Sequence, residues 1–175
     1  MRTLKLTIAY DGTRYAGWQR QRRRTAPRSQ HAARTPTIQE TVERTLHRIL
    51  QEPVKLVGSG RTDAGVHAQA QVAHIKTRAA VSCDRLRRSL NQLLPPDISV
   101  MRLTDAHDTF HARFDTARKR YRYRVFTGEV VPPFIHPYVH HVQAPLNLPL
   151  MRREAALLRG RHNFRAFAQT GPANG

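Results

Sequence analysis

The chain is poor in the residues that mark secreted and membrane proteins. Its 175 residues include a single cysteine, Cys83, so no internal disulfide can form. No apolar run approaches the length of about eighteen residues that a membrane span needs. The first residues lead directly into a strand-like alternation and do not resemble a signal peptide. We therefore expect a cytoplasmic protein with no membrane association.

Acidic residues are scarce as well. The chain has 12 acidic and 30 basic residues, which gives a formal net charge of +18. Such a charge attracts polyanions at long range, and nucleic acid is the most abundant of these in the cytosol. Only four basic residues are lysines, and arginine is better suited than lysine to phosphate and base-stacking contacts. The composition favours a nucleic-acid partner, although an arginine-rich coding bias in an aggregation-prone fragment would give the same ratio.

Alternation and capping signals predict an α+β fold in the first part of the chain. The predicted elements are a strand over 4–10, a helix over 38–50 capped by Thr37, a strand from 54, a strand over 66–76, a helix capped by Ser82 with Leu86, Leu90 and Leu93 on its apolar face, and a strand over 98–103. This order is that of the ferredoxin-like split βαβ plan. It predicts an antiparallel sheet with one open face.

The rest of the chain is less regular. We expect a strand over 117–126 that presents arginines on one face and Tyr121 on the other, and a helix over 148–159. We divide the chain into an N-terminal half-domain, 1–107, and the start of a second, incomplete half-domain, 108–175. Residues 22–36 lack apolar periodicity and are rich in arginine. They are predicted to form a mobile loop that contacts phosphates, or else a tolerated surface insertion.

One loop carries the candidate chemistry. Between Val57 and Ala68 stand three glycines, which allow sharp turns and close approach to a ligand. Arg61 and Asp63 lie two residues apart, so in an extended backbone their side chains point to the same side and can meet. A guanidinium that forks onto the carboxylate would aim it towards open space. The alternative is an ion pair that only ties two strands together.

At Gly60–Ala68 the chain closely resembles the TruA-type tRNA pseudouridine synthases. Three further blocks agree in the same order: Tyr10-Asp11-Gly12 with Gly17-Trp18-Gln19-Arg20-Gln21, Phe110-His111-Ala112-Arg113-Phe114, and Arg118-Lys119-Arg120-Tyr121-Arg122-Tyr123. The resemblance implies the pseudouridine synthase fold and isomerisation of uridine in the anticodon stem-loop of tRNA, at positions 38–40. It also implies a homodimer with neither metal nor organic cofactor.

The resemblance assigns roles to particular residues. Asp63 matches the catalytic aspartate, Arg61 the basic residue that pairs with it, and Tyr121 the tyrosine that lies against the target base. The tRNA-binding residues would be Trp18, Gln19, Arg20, Arg118 and Arg120. Asp63 could act as a nucleophile at the sugar or as a base that removes a sugar proton.

Several of these residues have ordinary structural explanations. Tyr121 could be a core residue of a strand, and Trp18 could be a hydrophobic anchor rather than a stacking platform. His67 is expected to be packed or hydrogen-bonded in its loop. His107 and His111 lie four apart, but without clustered carboxylates or a second cysteine we expect no metal site.

Members of the resembled family continue past the position of Gly175. The missing part supplies the rest of the second half-domain, part of the dimer contact and a further basic active-site residue. We therefore expect a fragment or a truncated homologue. This leaves a non-catalytic RNA-binding domain as the alternative to the enzyme.

Overall fold

The computed structural model describes residues 1–20 and 35–167. Two compact units are present, Met1–Arg120 and Tyr121–Gly175. The elements are β1 Arg2–Tyr10, α1 Ile38–Leu50, β2 Val57–Gly58, β3 Ala68–Thr77, α2 Cys83–Leu93, β4 Ile98–Ala106, β5 Val125–Phe126, β6 His140–His141 and α3 Leu148–Leu157. The predicted loop over 22–36 lies almost wholly outside the described residues.

The first unit is built on a four-stranded antiparallel sheet in the order β2-β3-β1-β4. Strand β1 lies in its interior, and the side chains of Leu4, Leu6 and Ile8 are completely buried. Since alternate residues of a strand share a face, these side chains form one apolar face against which α1 and α2 pack. The predicted order of strands and helices in this unit is confirmed, as is a mixed fold with an antiparallel sheet.

Both helices of the first unit begin where the capping signals place them. The hydroxyl of Thr37 accepts the N–H of Glu40 at 3.2 Å, and the hydroxyl of Ser82 accepts the N–H of Arg85 at 3.4 Å. Each hydroxyl satisfies one of the backbone donors that a helix leaves unpaired in its first turn. The two predicted N-caps are therefore confirmed.

Strand β2 is shorter than predicted. It was expected to begin at Val54, but only Val57 and Gly58 pair with β3. The N–H of Leu56 instead donates to Oε1 of Glu43 in α1, at 2.9 Å. A side-chain acceptor thus replaces a neighbouring strand, and the segment before Val57 connects α1 to the sheet without joining it.

The apolar face of α2 was also predicted wrongly at one position. Leu86 and Leu90 are buried as expected, whereas Leu93 is 42% exposed and Leu94 is buried in its place. The helix ends at Leu93, and Leu94 has an extended backbone, φ −70° and ψ 149°. A residue that precedes proline, here Pro95, disfavours the helical conformation, so the chain leaves the helix and the helical spacing no longer applies.

The strand predicted over 117–126 is largely absent. Only Val125 and Phe126 are in a strand, and they pair in parallel with His140 and His141. Residues 117–123 have no ladder partner within the described residues, and alternating sequence alone does not make a strand without one. In α3, which begins at Leu148 as predicted, no side chain is buried among the residues described.

The segment after β4, which belongs to the first unit, packs on the sheet of that unit. The N–H of Ala112 donates to Nδ1 of His74 in β3 at 3.1 Å, and the hydroxyl of Thr3 lies 3.4 Å from the carbonyl oxygen of Asp108. Residues 108–112 therefore lie on the sheet face opposite the helices. The division at 107/108 stays a prediction. Within the two described ranges, no helix combines the length and apolarity that crossing a bilayer requires.

Candidate active site

The loop over residues 59–67 joins β2 to β3 and is fixed at its start by two hydrogen bonds. The N–H of Ser59 donates to the carbonyl of Val72 at 2.8 Å, and Nε2 of Gln71 donates to the carbonyl of Gly60 at 2.7 Å. Val72 and Gln71, the two partners of the loop, are both residues of strand β3. The loop that bears Asp63 therefore leaves the sheet from a defined position.

Thr62 turns inward between two exposed neighbours. Its hydroxyl lies 2.9 Å from the phenol of Tyr10, at the end of β1, and its carbonyl accepts the N–H of Trp18 at 2.9 Å. Arg61 and Asp63 are both exposed. This is the alternation predicted for the loop, with the charged side chains away from the core and Thr62 facing it.

The predicted fork between Arg61 and Asp63 is not formed. Among the described residues, no hydrogen bond or ion pair within 4.0 Å joins the two side chains. Both are exposed, and an exposed pair gains little in water while losing side-chain entropy. The carboxylate of Asp63 thus stands at the surface, and its orientation comes from the backbone of the loop.

That backbone is set by a turn immediately after Asp63. The N–H of Val66 donates to the carbonyl of Asp63 at 3.3 Å, and Gly65 has a φ of +77°. A positive φ at the third residue of a four-residue turn is the requirement of a type II turn, and glycine meets it without strain. The turn reverses the chain directly behind the carboxylate.

A second segment, Tyr15–Trp18, supports the loop from the side of α1. The carbonyl of Gly17 accepts the N–H of Ile38 at 3.1 Å, in the first turn of α1. Gly17 has a φ of +82°, and a Cβ placed on it would lie 2.5 Å from the carbonyl oxygen of Thr62. The two backbones approach so closely that only glycine fits between the Asp63 loop and the helix.

Trp18 is an anchor of this segment. Its side chain is 3% exposed, its ring lies against Gly58, and its centroid is 6.0 Å from that of Tyr10. Of the two interpretations of Trp18, the burial supports the hydrophobic anchor. A base cannot stack on a ring that is covered on this scale, so its assignment to tRNA binding stays a prediction that the packing disfavours.

Gln19 and Arg20 are exposed at the end of the same segment. The N–H of Arg20 donates to Oε1 of Gln39 at 3.0 Å, and its guanidinium lies 3.9 Å from the carboxylate of Glu43. Gln39 also donates to Glu43 and to the carbonyl of Leu56, at 3.0 Å each. Side chains of α1 thus hold the backbone of Arg20 while 65% of its side chain remains accessible.

His67 closes the far end of the loop. Its Nδ1 accepts the N–H of Gly12 at 3.1 Å and lies 3.1 Å from Oδ1 of Asp11. The prediction of a hydrogen-bonded loop histidine is confirmed. A Cβ on Gly12 would lie 2.1 Å from the carbonyl oxygen of Val66, so the segment after β1 runs directly against the loop.

The phenol of Tyr15 is hydrogen-bonded to Asp97, the residue before β4. Its phenol donates to Oδ1 of Asp97 at 2.6 Å, and Arg14 binds Oδ2 of the same carboxylate at 2.6 Å. Burial, and then the hydrogen bond to Asp97, raise the pKa of Tyr15 above its ordinary value. The phenol therefore stays protonated and continues to donate throughout the physiological pH range.

Three of the remaining predicted residues lie where the chain leaves the first unit. Arg118 and Arg120 are exposed, and Tyr121, which begins the second unit, is 65% exposed. Lys119, between the two arginines, was not singled out from the sequence. The side chain of Lys119 lies beside Gly60 of the loop. A Cβ placed on Gly60 would be 3.4 Å from Nζ of Lys119. No signal in the sequence indicated this contact, because it joins two residues that lie far apart in the chain.

The pair His107 and His111 does not form a chelate with other ligands. Nδ1 of His107 lies 2.8 Å from the hydroxyl of Thr109, and the ring of His111 stacks on Phe114 at 4.3 Å. Throughout ranges 1–20 and 35–167, no three His, Cys, Asp or Glu side chains are grouped so that they could hold a metal ion. The absence of a metal remains an expectation.

Comparison with known proteins places this arrangement in a family. A family model described as tRNA pseudouridine synthase matches residues 6–115, which include the whole loop and the packed segment after β4. The chain belongs to the tRNA pseudouridine synthase family. The recognition made from its sequence motifs is thereby confirmed.

Individual relatives agree along almost the whole chain. Proteins named tRNA pseudouridine synthase A are 46% identical over 173 residues in Oleidesulfovibrio alaskensis, 43% over 173 residues in Geobacter sulfurreducens and 37% over 171 residues in Thermoanaerobacter sp.. These alignments cover 98%, 99% and 98% of this chain. They cover only 61%, 66% and 66% of the relatives, so the chain spans less than two thirds of the proteins it matches.

Proposed function

We propose that the chain carries the Asp63-bearing part of a tRNA pseudouridine synthase, which converts uridine to pseudouridine in the anticodon stem-loop of tRNA at positions 38–40. The observation that carries this proposal is the placement of Asp63, exposed on a loop that is held by Tyr10, Trp18 and the sheet. Family membership and the names of the relatives support the reaction class and the tRNA substrate.

The reaction requires one bond to break and another to form. The C1′–N1 bond of uridine breaks, the uracil turns, C5 bonds to C1′, the proton on C5 is lost to solvent and N1 gains a proton. The Asp63 carboxylate can attack the sugar as a nucleophile or remove a sugar proton as a base. Both routes require the nucleotide to leave its stack, at a cost of a few kcal/mol, and an exposed carboxylate is accessible to such a nucleotide.

We assign contacts with the RNA to exposed residues of the chain. Arg20, Arg118 and Arg120 present guanidinium groups to solvent, and Gln19 lies beside Arg20. Guanidinium groups of this kind bind phosphate oxygens in a fork. The ring of Tyr121 is exposed enough to stack on a base, which contributes roughly 1–3 kcal/mol in single-stranded nucleic-acid sites. Arg61, two residues before Asp63 in the same loop, contributes positive charge at the reacting nucleotide.

We further propose that residues 1–107 are a ferredoxin-like split βαβ half of the pseudouridine synthase fold, and that 108–175 contains the start of the other half. The order of elements and the sheet order β2-β3-β1-β4 support the first part. A homodimer and a cytoplasmic location accompany this proposal as expectations for the family. Sedimentation analysis of the purified chain tests the dimer.

Tritium release tests the enzymatic proposal directly. The chain is incubated with unmodified tRNA that carries tritium at C5 of uridine, and release to solvent is measured for the unaltered protein, Asp63→Asn and Asp84→Asn. Asp63→Asn keeps the shape of the side chain but removes its charge, and we expect no release. Asp84 is an exposed aspartate of α2, so Asp84→Asn controls for the loss of one negative charge and should leave release unchanged.

Two outcomes contradict the enzymatic proposal. Release by Asp63→Asn at the unaltered rate means that Asp63 is not the reacting group. Tight, salt-dependent tRNA binding by the unaltered chain without any release supports the alternative function, a non-catalytic RNA-binding domain. The extent of the chain, less than two thirds of its relatives, is the observation that keeps this alternative open.

A further inference from the structure

The backbone of Tyr15 contacts the turn that follows Asp63. The N–H of Gly65 donates to the carbonyl of Tyr15 at 3.3 Å. Gly65 is the residue with a positive φ in that turn, and it lies two residues after Asp63. The position of Tyr15 therefore limits where the turn can lie, and with it the carboxylate of Asp63.

The side chain of Tyr15 is held by a carboxylate from another part of the sheet. Tyr15 is 5% exposed, and its phenol donates to Oδ1 of Asp97 at 2.6 Å. A hydrogen bond to a charged acceptor is stronger than one between neutral groups. Asp97 lies immediately before β4, so a residue distant in sequence determines where this tyrosine lies.

Both oxygens of the Asp97 carboxylate have partners. Oδ1 accepts the phenol of Tyr15, and Oδ2 accepts Nε and Nη2 of Arg14 at 3.0 and 2.6 Å. The side chain of Asp97 is 12% exposed, whereas that of Arg14 is 71% exposed. The arginine thus binds the carboxylate from the solvent and leaves the second oxygen directed at the buried phenol.

The main chain of Asp97 holds the start of the same segment. Its carbonyl accepts the N–H of Asp11 at 2.9 Å, and the N–H of Tyr15 donates to the carbonyl of Gly12 at 2.9 Å. The segment 11–15 is therefore attached to Asp97 at both of its ends. The attachment at Asp11 uses backbone atoms, so a substitution of the Asp97 side chain removes only the attachment at Tyr15.

We propose that Asp97 is a positioning residue for the isomerisation, acting through Tyr15 and the Gly65 turn on Asp63. This proposal rests on the proposed function. Asp97 does not touch the substrate: its carboxylate holds the phenol of Tyr15, and the carbonyl of Tyr15 holds the turn behind Asp63. A displacement of about 1 Å at a reacting group can reduce a rate about a hundredfold, so loss of this carboxylate should lower kcat.

A set of single variants separates positioning from ordinary stabilisation. Asp97→Ala removes the acceptor, and Tyr15→Phe removes the donor while keeping the ring in the core. Asp97→Asn retains an amide oxygen that can accept the phenol. Asp105→Ala is the matched control, because Asp105 also pairs with an arginine, Arg2, at 2.6 Å. It lies at the end of β4 away from the Asp63 loop, since its partner across the sheet is Leu4.

The first measurement is the backbone order parameter of residues 63–65, obtained from nitrogen-15 relaxation. We expect about 0.85, the value of a rigid backbone, in the unaltered chain, Asp97→Asn and Asp105→Ala, and less than about 0.6 in Asp97→Ala and Tyr15→Phe. Tyr15→Phe decides the question if Asp97→Ala does not fold. Unchanged order parameters in Tyr15→Phe overturn the proposal, as does a mobile backbone over 63–65 in the unaltered chain. An equal fall in Asp105→Ala also overturns it, because lost stability would then explain the result.

The second measurement is the rate of tritium release at several concentrations of tRNA. We expect kcat to fall roughly ten- to a hundredfold in Asp97→Ala and Tyr15→Phe while KM stays within about twofold, because the carboxylate is misplaced and the RNA contacts are unaltered. The double variant should be no slower than the slower single variant, since both residues act through one hydrogen bond. A raised KM with unchanged kcat overturns the proposal, as does a double variant in which the two effects multiply.

The two measurements distinguish this proposal from the proposed function. If the unaltered chain releases no tritium, the synthase proposal fails for this chain, and the order parameters alone decide whether Asp97 positions the loop. If the unaltered chain releases tritium and both Asp97→Ala and Tyr15→Phe match its rate, the synthase is supported and positioning by Asp97 is rejected.

Discussion

The phenol of Tyr10 and the hydroxyl of Thr62 lie 2.9 Å apart, and this hydrogen bond ties the Asp63 loop to the end of the central strand β1. Tyr10 is 5% exposed and belongs to the core, whereas Thr62 lies between two exposed charged residues. A core residue thus holds the residue that immediately precedes Asp63.

Removing that hydrogen bond should affect both stability and activity. Tyr10→Phe keeps the ring in the core and deletes only the hydroxyl, so the free energy of unfolding should fall by about 1 kcal/mol. Tritium release should fall as well, because Thr62 no longer holds Asp63 in place. Urea unfolding and the release assay measure the two effects. Tyr123→Phe, on a ring that is 90% exposed, is the control and should change the unfolding free energy little.

Gly17 and Gly65 both have positive φ angles, but only one of them is enclosed. A Cβ on Gly17 would lie 2.5 Å from the carbonyl oxygen of Thr62, whereas a Cβ on Gly65 would have no atom within 4 Å. Gly65→Ala should therefore lower the unfolding free energy by about 1–2 kcal/mol, the usual cost of a left-handed alanine. Gly17→Ala adds a backbone clash and should cost more. Equal losses in urea unfolding would contradict the close approach of the two backbones.

Trp18 is the only tryptophan, so its fluorescence reports on one site. Because its side chain is 3% exposed, emission should be blue-shifted in the folded chain, resist quenching by iodide, and move to longer wavelength in urea. Binding of tRNA should leave the emission nearly unchanged. Strong quenching on titration with tRNA would instead indicate a base stacked on the indole and would restore the predicted tRNA-binding role.

His74 should make the first unit less stable in mild acid. Burial, followed by the nearby charges of His111 and Lys76, lowers the pKa of His74 below its ordinary value of about 6.5. Since its Nδ1 accepts the N–H of Ala112, the neutral ring is the form that fits the fold.

As the pH falls below about 6.5, the unfolded chain binds a proton at His74 before the folded chain does, so stability present above that pH is lost. The loss continues until the pH reaches the lowered pKa of the folded state. Urea unfolding at pH 7.5 and 5.5 measures it. His74→Asn, whose amide oxygen can still accept the N–H of Ala112, should lose less stability over this interval. Identical pH dependence in both proteins would assign the effect to other groups.

Much of the first unit was predictable because its signals are local. The alternation in β1 and the hydroxyl caps at Thr37 and Ser82 each depend on residues within a few positions. The loop that bears Asp63 was likewise predictable from the three glycines that lie close together in its sequence. These features need no knowledge of what packs on them.

The features that were missed depend on contacts between distant residues. Glu43 replaces a strand neighbour for Leu56, thirteen positions away, and shortens β2. Lys119 meets Gly60 across the fold, and nothing near either residue indicates it. The fork between Arg61 and Asp63 was expected from spacing, but spacing says nothing about whether solvent competes for both groups.

Residues 108–112 cover only one end of the sheet face that lies opposite the helices. His74, Thr3 and Lys5 lie beneath that segment, and the Lys5 ammonium sits 5.3 Å from the ring centre of Phe110. Thr7 and its cross-strand partner Arg102 lie further along, towards the end of β1 that pairs with Ala68, the residue at which the Asp63 loop enters β3. In the proposed complex, an RNA strand laid across this face would occupy that uncovered half, which is the half nearer to the loop that bears Asp63.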